Sequence, residues 1–310
     1  MRVYNNAEHT NIKNPVVTTG IFDGVHLGHK TILNKLSEIA IKENGEKVVV
    51  TFWPHPKWII QKDSGLKLIN TLDEKKQLLE KYEVDHLIIL PFNKQFSKLS
   101  SGKFIEDYLV KKIGLKNLVV GYNHHFGKNR EGNYGRLLHY ADKNNFTVEK
   151  IGPAKISNLN ISSTDIRYIL QNGEIQKANK LLGYNYFLNG KVIPGDKMGE
   201  KIGFPTANIN VSENYKLVPP DGVYIVEAEI ENKKYKGMLN IGHKPTFHRT
   251  TTKNIEVHIF DFNQNIYKKS ITIFFHKRLR EEIKFNSQEG LIQQIKEDKK
   301  ESLIYFNKNS

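Results

Sequence analysis

The chain has 310 residues, a formal charge of +14 and no cysteine. That length fits about two domains with a sizeable core; the missing thiols exclude disulfides, thiolate metal sites and a cysteine nucleophile, and fit a reducing, cytoplasmic setting. No run of about 18 apolar residues occurs, which leaves no membrane span, and the start Met1-Arg2-Val3-Tyr4-Asn5-Asn6 lacks the hydrophobic centre of a secretion signal. The charge comes from 40 lysines against seven arginines. The lysines are scattered, which reads as a solvated surface that attracts phosphorylated small molecules rather than as a nucleic-acid groove. The scarce arginines carry more weight: Arg130, Arg167 and Arg280 each fall in a motif-like stretch where a planar fork would grip phosphate or carboxylate.

In chain order, the apolar run Pro15-Val16-Val17 leads into Thr19-Gly20-Ile21-Phe22-Asp23-Gly24-Val25-His26-Leu27-Gly28-His29-Lys30 and then a helical pattern at Ile32, Leu33, Leu36, Ile39 and Ala40. This is a strand–loop–helix turn. Gly20, Gly24 and Gly28 permit close approach of a ligand to the backbone. The free N–H groups and dipole of the new helix favour an anion, and His26, His29 and Lys30 add donors and charge. Such a turn can hold a triphosphate, or it can be only a turn with ordinary histidines.

Further apolar runs at 47–52, 87–90, 118–120 and 146–148 alternate with helix-type segments at 73–82 and 102–113. Short buried strands between helices predict a parallel sheet covered on both faces, with ligands at the strand carboxyl ends. The polar clusters fall at those ends. Trp53-Pro54-His55-Pro56 projects His55 from a stiff loop. The 121–133 loop offers glycines, Asn123 and Arg130; its adjacent His124 and His125 make a poor zinc pair. Ile161-Ser162-Ser163-Thr164-Asp165-Ile166-Arg167 starts a helix, where Ser163 or Thr164 is either an N-cap or, with Arg167, half of a phosphate clamp. Helical segments end at Gly173 and Gly183. Neither a Walker A sequence nor a dinucleotide fingerprint is present.

From about residue 186 the texture changes to β-rich runs at 187–193, 222–230, 235–241, 255–260 and 270–275, followed by an amphipathic stretch from Leu291. That spacing predicts a small antiparallel sheet or barrel with a covering helix. Gly203-Phe204-Pro205-Thr206-Ala207-Asn208 ends a glycine loop in a rigid segment whose hydroxyl and amide oxygens suit magnesium, unless it is a bulge and turn. Glu256, inside an apolar strand near the 240–247 cluster, is either paired structurally or poised as a general base.

Taken together these stretches resemble the bacterial bifunctional riboflavin kinase/FAD synthetases along essentially the whole chain. The 19–30 motif, Thr-Phe-Trp-Pro-His-Pro, the 121–133 loop and Ser-Ser-Thr-Asp-Ile-Arg match the adenylyltransferase half in order. Gly-Phe-Pro-Thr-Ala-Asn, Asn-Ile-Gly-His-Lys-Pro-Thr-Phe, Ile-Glu-Val-His and Arg280-Glu281-Glu282-Ile283-Lys284-Phe285 match the kinase half. The resemblance implies a Rossmann-like α/β nucleotidyltransferase domain over 1–183 and a β-barrel riboflavin kinase domain over 184–310. It implies ATP-dependent conversion of riboflavin to FMN and of FMN to FAD, with Mg2+ required and no nucleic-acid, membrane or obligate protein partner. By that likeness Gly20, Phe22, Asp23, Gly24, His26, His29, Ser163, Thr164 and Arg167 would bind ATP for adenylyl transfer, with His55, Asn123 and Arg130 on the FMN side. Gly203, Pro205, Thr206 and Asn208 would hold Mg-ATP for the kinase, with Thr206 and Asn208 at the metal, Glu256 as base and Arg280 toward the flavin. Three positions depart from the family pattern: Glu200 replaces the usual arginine of the glycine loop, Lys268 replaces a glycine and Trp53 a commonly acidic residue. Adenylyltransferases for pantetheine phosphate or nicotinamide mononucleotide share the His-x-Gly-His layout but lack a Pro-Thr-Ala-Asn β-domain.

Overall fold

Val16, Val17, Val48, Val49 and Val50 are fully buried because their strands lie in the middle of a sheet covered on both faces. The computed structural model describes residues 1–8, 11–61, 64–122, 124–152, 155–156, 159–196, 198–243 and 253–309. It divides into two compact units, Met1–Ser163 and Thr164–Ser310, while the sequence expectation sets the domain boundary at 183.

The first unit runs β1 (Arg2–Tyr4), β2 (Val16–Thr19), α1 (Leu27–Lys42), β3 (Lys47–Trp53), α2 (Pro56–Ile60), α3 (Leu72–Lys81) and β4 (His86–Pro91). A short α4 (Ser101–Lys103) then passes into π-helical winding over Phe104–Lys112, followed by β5 (Asn117–Gly121), α5 (Tyr134–Asn144), β6 (Thr147–Ile151) and a small hairpin of β7 (Lys155–Ile156) and β8 (Leu159–Asn160). The six-stranded parallel sheet has the order β1-β4-β3-β2-β5-β6. From β2 the chain builds outward through β3 and β4, then returns to β5 on the other side. The switch point therefore lies at the carboxyl ends of β2 and β5, where open parallel sheets bind ligands. The 102–113 stretch is helical as expected but wound wider than an α-helix, with Ile113 N donating to Tyr108 O.

The second unit opens with α6 (Ser163–Gln171), whose first residue closes the first unit, and α7 (Ile175–Leu182). Asn179 ties α7 to the strands, donating to Phe275 O at 2.8 Å and accepting from Tyr186 N at 2.8 Å. Then come β9 (Phe187–Ile193), α8 (Met198–Lys201), β10 (Ala207–Asn210), β11 (Gly222–Ile230), β12 (Lys233–His243), β13 (Lys253–Ile259), β14 (Ser270–Arg280) and α9 (Gln288–Lys308). The six strands close into an antiparallel barrel of order β10-β13-β12-β11-β14-β9, filled by Tyr186, Tyr224 and Phe275. The α/β unit and the barrel with its terminal helix are the architecture the sequence predicts.

Arg280 anchors α9 to the barrel. Its Nε donates to Asp298 Oδ1 at 3.0 Å and its Nη2 to Oδ2 at 2.7 Å, and Asp298 is 4% exposed. Removing one partner of a buried pair strands the other charge. Asp298→Ala is therefore expected to lower the unfolding free energy by about 3 kcal/mol in urea denaturation.

Candidate active sites

The first site forms where β2 hands the chain to α1. Gly20 N donates to Val50 O at 3.0 Å, and the loop then turns through left-handed backbone at Phe22 (φ 52°), Gly24 (φ 86°) and Val25 (φ 35°). Hydrogen bonds from several elements hold this turn. Ile21 O accepts from Thr51 Oγ1 at 3.2 Å and from Lys75 Nζ at 2.7 Å. Asp23 Oδ1 accepts from Ile69 N at 3.0 Å, and Asp23 O accepts from Ser163 Oγ at 2.8 Å. Ser163 is thus tied to the loop, which a bare N-cap reading of that residue does not include.

His26 sits at the N-cap of α1 without a side-chain capping bond. Its ring stacks on His29 with centroids 3.8 Å apart and planes at 20°, and Phe22 backs His29 at 4.8 Å. The Nδ1 atoms of both histidines are buried and make no hydrogen bond among the described residues. Imidazole nitrogens can donate to a phosphate oxygen, and a helix start without a side-chain cap favours an anion. Gly28 serves this stack as well as ligand access: a Cβ there would stand 3.1 Å from the His26 ring. Across the switch point, Thr19 Oγ1 lies 3.2 Å from Nε2 of His124 on the loop after β5.

Burial pulls His26 and His124 down to about 4 and His29 well below its ordinary value, with the positive fields of His26 and Lys75 adding to the effect. All three are neutral at pH 7. The unfolded chain takes up these protons near 6.5 and the folded chain does not, so stability is complete above that pH and falls as pH drops toward 4. Urea unfolding at pH 7 and pH 5, followed by circular dichroism, is expected to show a loss on the order of 2 kcal/mol for each of His26 and His124.

Of the other residues expected here, His55 is buried at the N-cap of α2, its Nδ1 accepting from Lys57 N at 3.1 Å. Thr164 and Arg167 lie in the first two turns of α6, within the second unit. Asn123 and the side chain of Arg130 lie outside the described residues. Lys75, absent from the expected set, is 2% exposed. Its signal is a charge at 75 on the apolar stripe formed by Leu78 and Leu79.

The second site is built on three adjacent barrel strands. Glu256 on β13 stands opposite Asn208 on β10 and Asn240 on β12, so the three side chains share one face. Thr206 Oγ1 donates to Glu256 Oε2 at 3.0 Å and Asn254 Nδ2 to Oε1 at 2.6 Å. The carboxylate is half-buried with both oxygens engaged, which answers the cost of placing it in an apolar strand. Just before Thr206, Gly203 takes a φ of 84° and Pro205 O accepts from His258 Nδ1 at 2.8 Å. Gly195 permits the packing of Asn208, since a Cβ there would meet its amide. Arg280, expected toward the flavin, pairs its guanidinium with Asp298. Residues 244–247 of the Asn-Ile-Gly-His cluster lie outside the described residues.

A histidine-bearing turn lies at the switch point of a parallel sheet, and a carboxylate lies beside a hydroxyl and amides on a closed barrel. Likeness to known proteins makes the chain a transferase of two units. The family pattern described as FAD synthetase matches residues 8–165, and that described as riboflavin kinase matches residues 182–306. A bifunctional riboflavin kinase/FMN adenylyltransferase of Bacillus subtilis is 41% identical over 94% of this chain and 92% of its own length. The protein of that name from Escherichia coli K12 is 33% identical over 94% and 92%. The chain belongs to the bifunctional riboflavin kinase/FMN adenylyltransferase family. The same architecture occurs, with a TM-score of 0.88 and 32% identity over 96% of this chain and 97% of the other, in a crystal structure described as a macrolide-efflux protein from Streptococcus pneumoniae. Among the described residues here, no helix is long and apolar enough to cross a membrane.

Proposed function

We propose that the two reactions of the family run at two separate sites, adenylyl transfer around His26 and His29 and riboflavin phosphorylation around Glu256. The chain is a transferase of flavin cofactor synthesis, using ATP to convert riboflavin to FMN and FMN to FAD. What supports the two-site reading is that each unit carries its own constellation of aimed polar groups, the stacked histidines in one and the Thr206–Glu256–Asn254 cluster in the other. In this reading the functional halves are 1–183 and 184–310.

At the kinase site Glu256 takes the proton of the riboflavin hydroxyl as its oxygen attacks the γ-phosphorus of ATP, and ADP leaves. Thr206 and Asn254 orient the carboxylate; Gly203 and Pro205 shape the loop that meets the nucleotide. Thr206 and Asn208 supply hard oxygen donors, which fits Mg2+ bound through one or two protein groups and the ATP phosphates. Among the described residues no group of three or more histidines or carboxylates has a metal-holding arrangement, so a complete protein cage is not part of this proposal. When bound, Mg2+ would neutralise charge on the phosphates.

At the other site a phosphate oxygen of FMN attacks the α-phosphorus of ATP and pyrophosphate departs, with no covalent enzyme intermediate. Neutral His26 and His29 donate N–H to the phosphate oxygens as charge builds there. Ser163, Thr164 and Arg167 are assigned to the ATP phosphates, Gly20, Phe22, Asp23 and Gly24 to the loop that receives them, and His55, Asn123 and Arg130 to the FMN side. Arg280 is assigned to the flavin side of the kinase site, held in place by its pairing with Asp298. The protein is assigned to the cytoplasm, without a nucleic-acid, membrane or obligate protein partner. Incubating purified chain with riboflavin, ATP and magnesium and separating the flavins chromatographically tests the assignment: FMN should appear first and FAD after it. FMN without FAD would remove the first site, and no product at all would remove both.

A further inference from the structure

The turn between β2 and α1 is held from below by a residue that the adenylyl-transfer chemistry does not itself call for. Lys75 is 2% exposed on α3, on the face that Leu78 and Leu79 also bury. A leucine or methionine would fill that position without the penalty of desolvating an ammonium. Lys75 makes no salt bridge among the described residues; its Nζ donates to Ile21 O at 2.7 Å. That carbonyl lies one residue before the left-handed Phe22, whose ring supports His29. The titratable groups that face it are Asp23 from the loop and His29 from α1, the latter stacked on His26. Glu74, its neighbour on α3, is committed to the Thr71 cap. Burial lowers the Lys75 pKa to about 8, with Asp23 acting in the opposite sense.

We propose that Lys75 is a positioning residue for adenylyl transfer: its ammonium fixes the 21–25 loop through the Ile21 carbonyl and so sets where His26 and His29 stand against the phosphates of ATP. This rests on the assignment of adenylyl transfer to those histidines. The loop needs such a strut, because Phe22 and Val25 lie in a backbone region that non-glycine residues rarely populate and that surrounding contacts must enforce. A misplacement of about 1 Å at a reacting centre costs on the order of 10²-fold in rate, so a strut on the loop acts on turnover more than on affinity.

The test is steady-state FAD formation from FMN and ATP by the full-length chain and its Lys75→Met and Lys75→Arg variants, with riboflavin phosphorylation measured on the same preparations. Lys75→Met is expected to lower kcat for FAD formation about 30-fold and to leave KM for ATP within about threefold. FMN formation should stay at the wild-type rate. In the wild type, FAD formation should fall as pH rises through about 8, the value at which burial sets this ammonium to lose its proton. Lys75→Arg, charged throughout, should lack that fall. A folded Lys75→Met chain with wild-type kcat overturns the proposal, as does an alkaline limb that persists in Lys75→Arg. If Lys75→Met fails to fold, the pH profiles of wild type and Lys75→Arg decide. A wild-type chain that makes FMN but no FAD rejects the site assignment itself, a different result from any of these.

Discussion

Glu256→Gln is expected to lower the rate of FMN formation by about 10²- to 10⁴-fold, the usual worth of a positioned general base, while FAD formation from added FMN stays at the wild-type rate. The substitution keeps the side chain's size and leaves an amide oxygen that can still accept from Thr206. What disappears is a basic oxygen and one acceptor, the one now taken by Asn254 at 2.6 Å. Initial rates with riboflavin and with FMN as alternative substrates separate the two outcomes. A variant that phosphorylates riboflavin normally would leave Glu256 as a tie between β13 and Thr206, just before β10, and nothing more.

The reverse pattern is expected of His29→Ala: FAD formation down by about 10²- to 10³-fold, in line with removal of one donor aimed at developing charge, and FMN formation untouched. The loss should fall on kcat, because the contact strengthens as pyrophosphate separates. His29 also fills space between His26 and Phe22, so the variant should be checked for a folded first unit before its rate is read. Equal loss of both activities in a folded His29→Ala chain would contradict independent sites.

Much of this was legible in order along the chain, because buried parallel strands announce themselves by unbroken apolar runs such as that of β3. β1 was not: Arg2, Val3 and Tyr4 form a strand of three residues with two exposed, too short to carry a period. β10 reads as a rigid polar segment, since Ala207-Asn208-Ile209-Asn210 alternates over only four residues, too few to carry a period. Asn133 reads as the end of a loop but in the fold caps α5, accepting from Arg136 N at 3.0 Å. The site residues divide the same way. His26 and His29 are neighbours on one helical turn, so spacing alone predicts that they meet. The partners of Glu256 come from strand register, which brings Asn208 and Asn240 alongside it across many residues of intervening chain. Arg280 finds Asp298 only once α9 folds back, and no local pattern records that meeting.

Closure of the barrel has a consequence for a chain made from one end. β9, its first strand, pairs on one side with β10 and on the other with β14, joining Phe187 to Phe274. The strand that seals the cylinder is therefore the last of the six to be made, whereas the parallel sheet is complete by Ile151. Domains fold as units from the N-terminus during synthesis. The nascent polypeptide thus holds a finished parallel sheet while the barrel still has open strand edges, and the barrel closes only once β14 has been made.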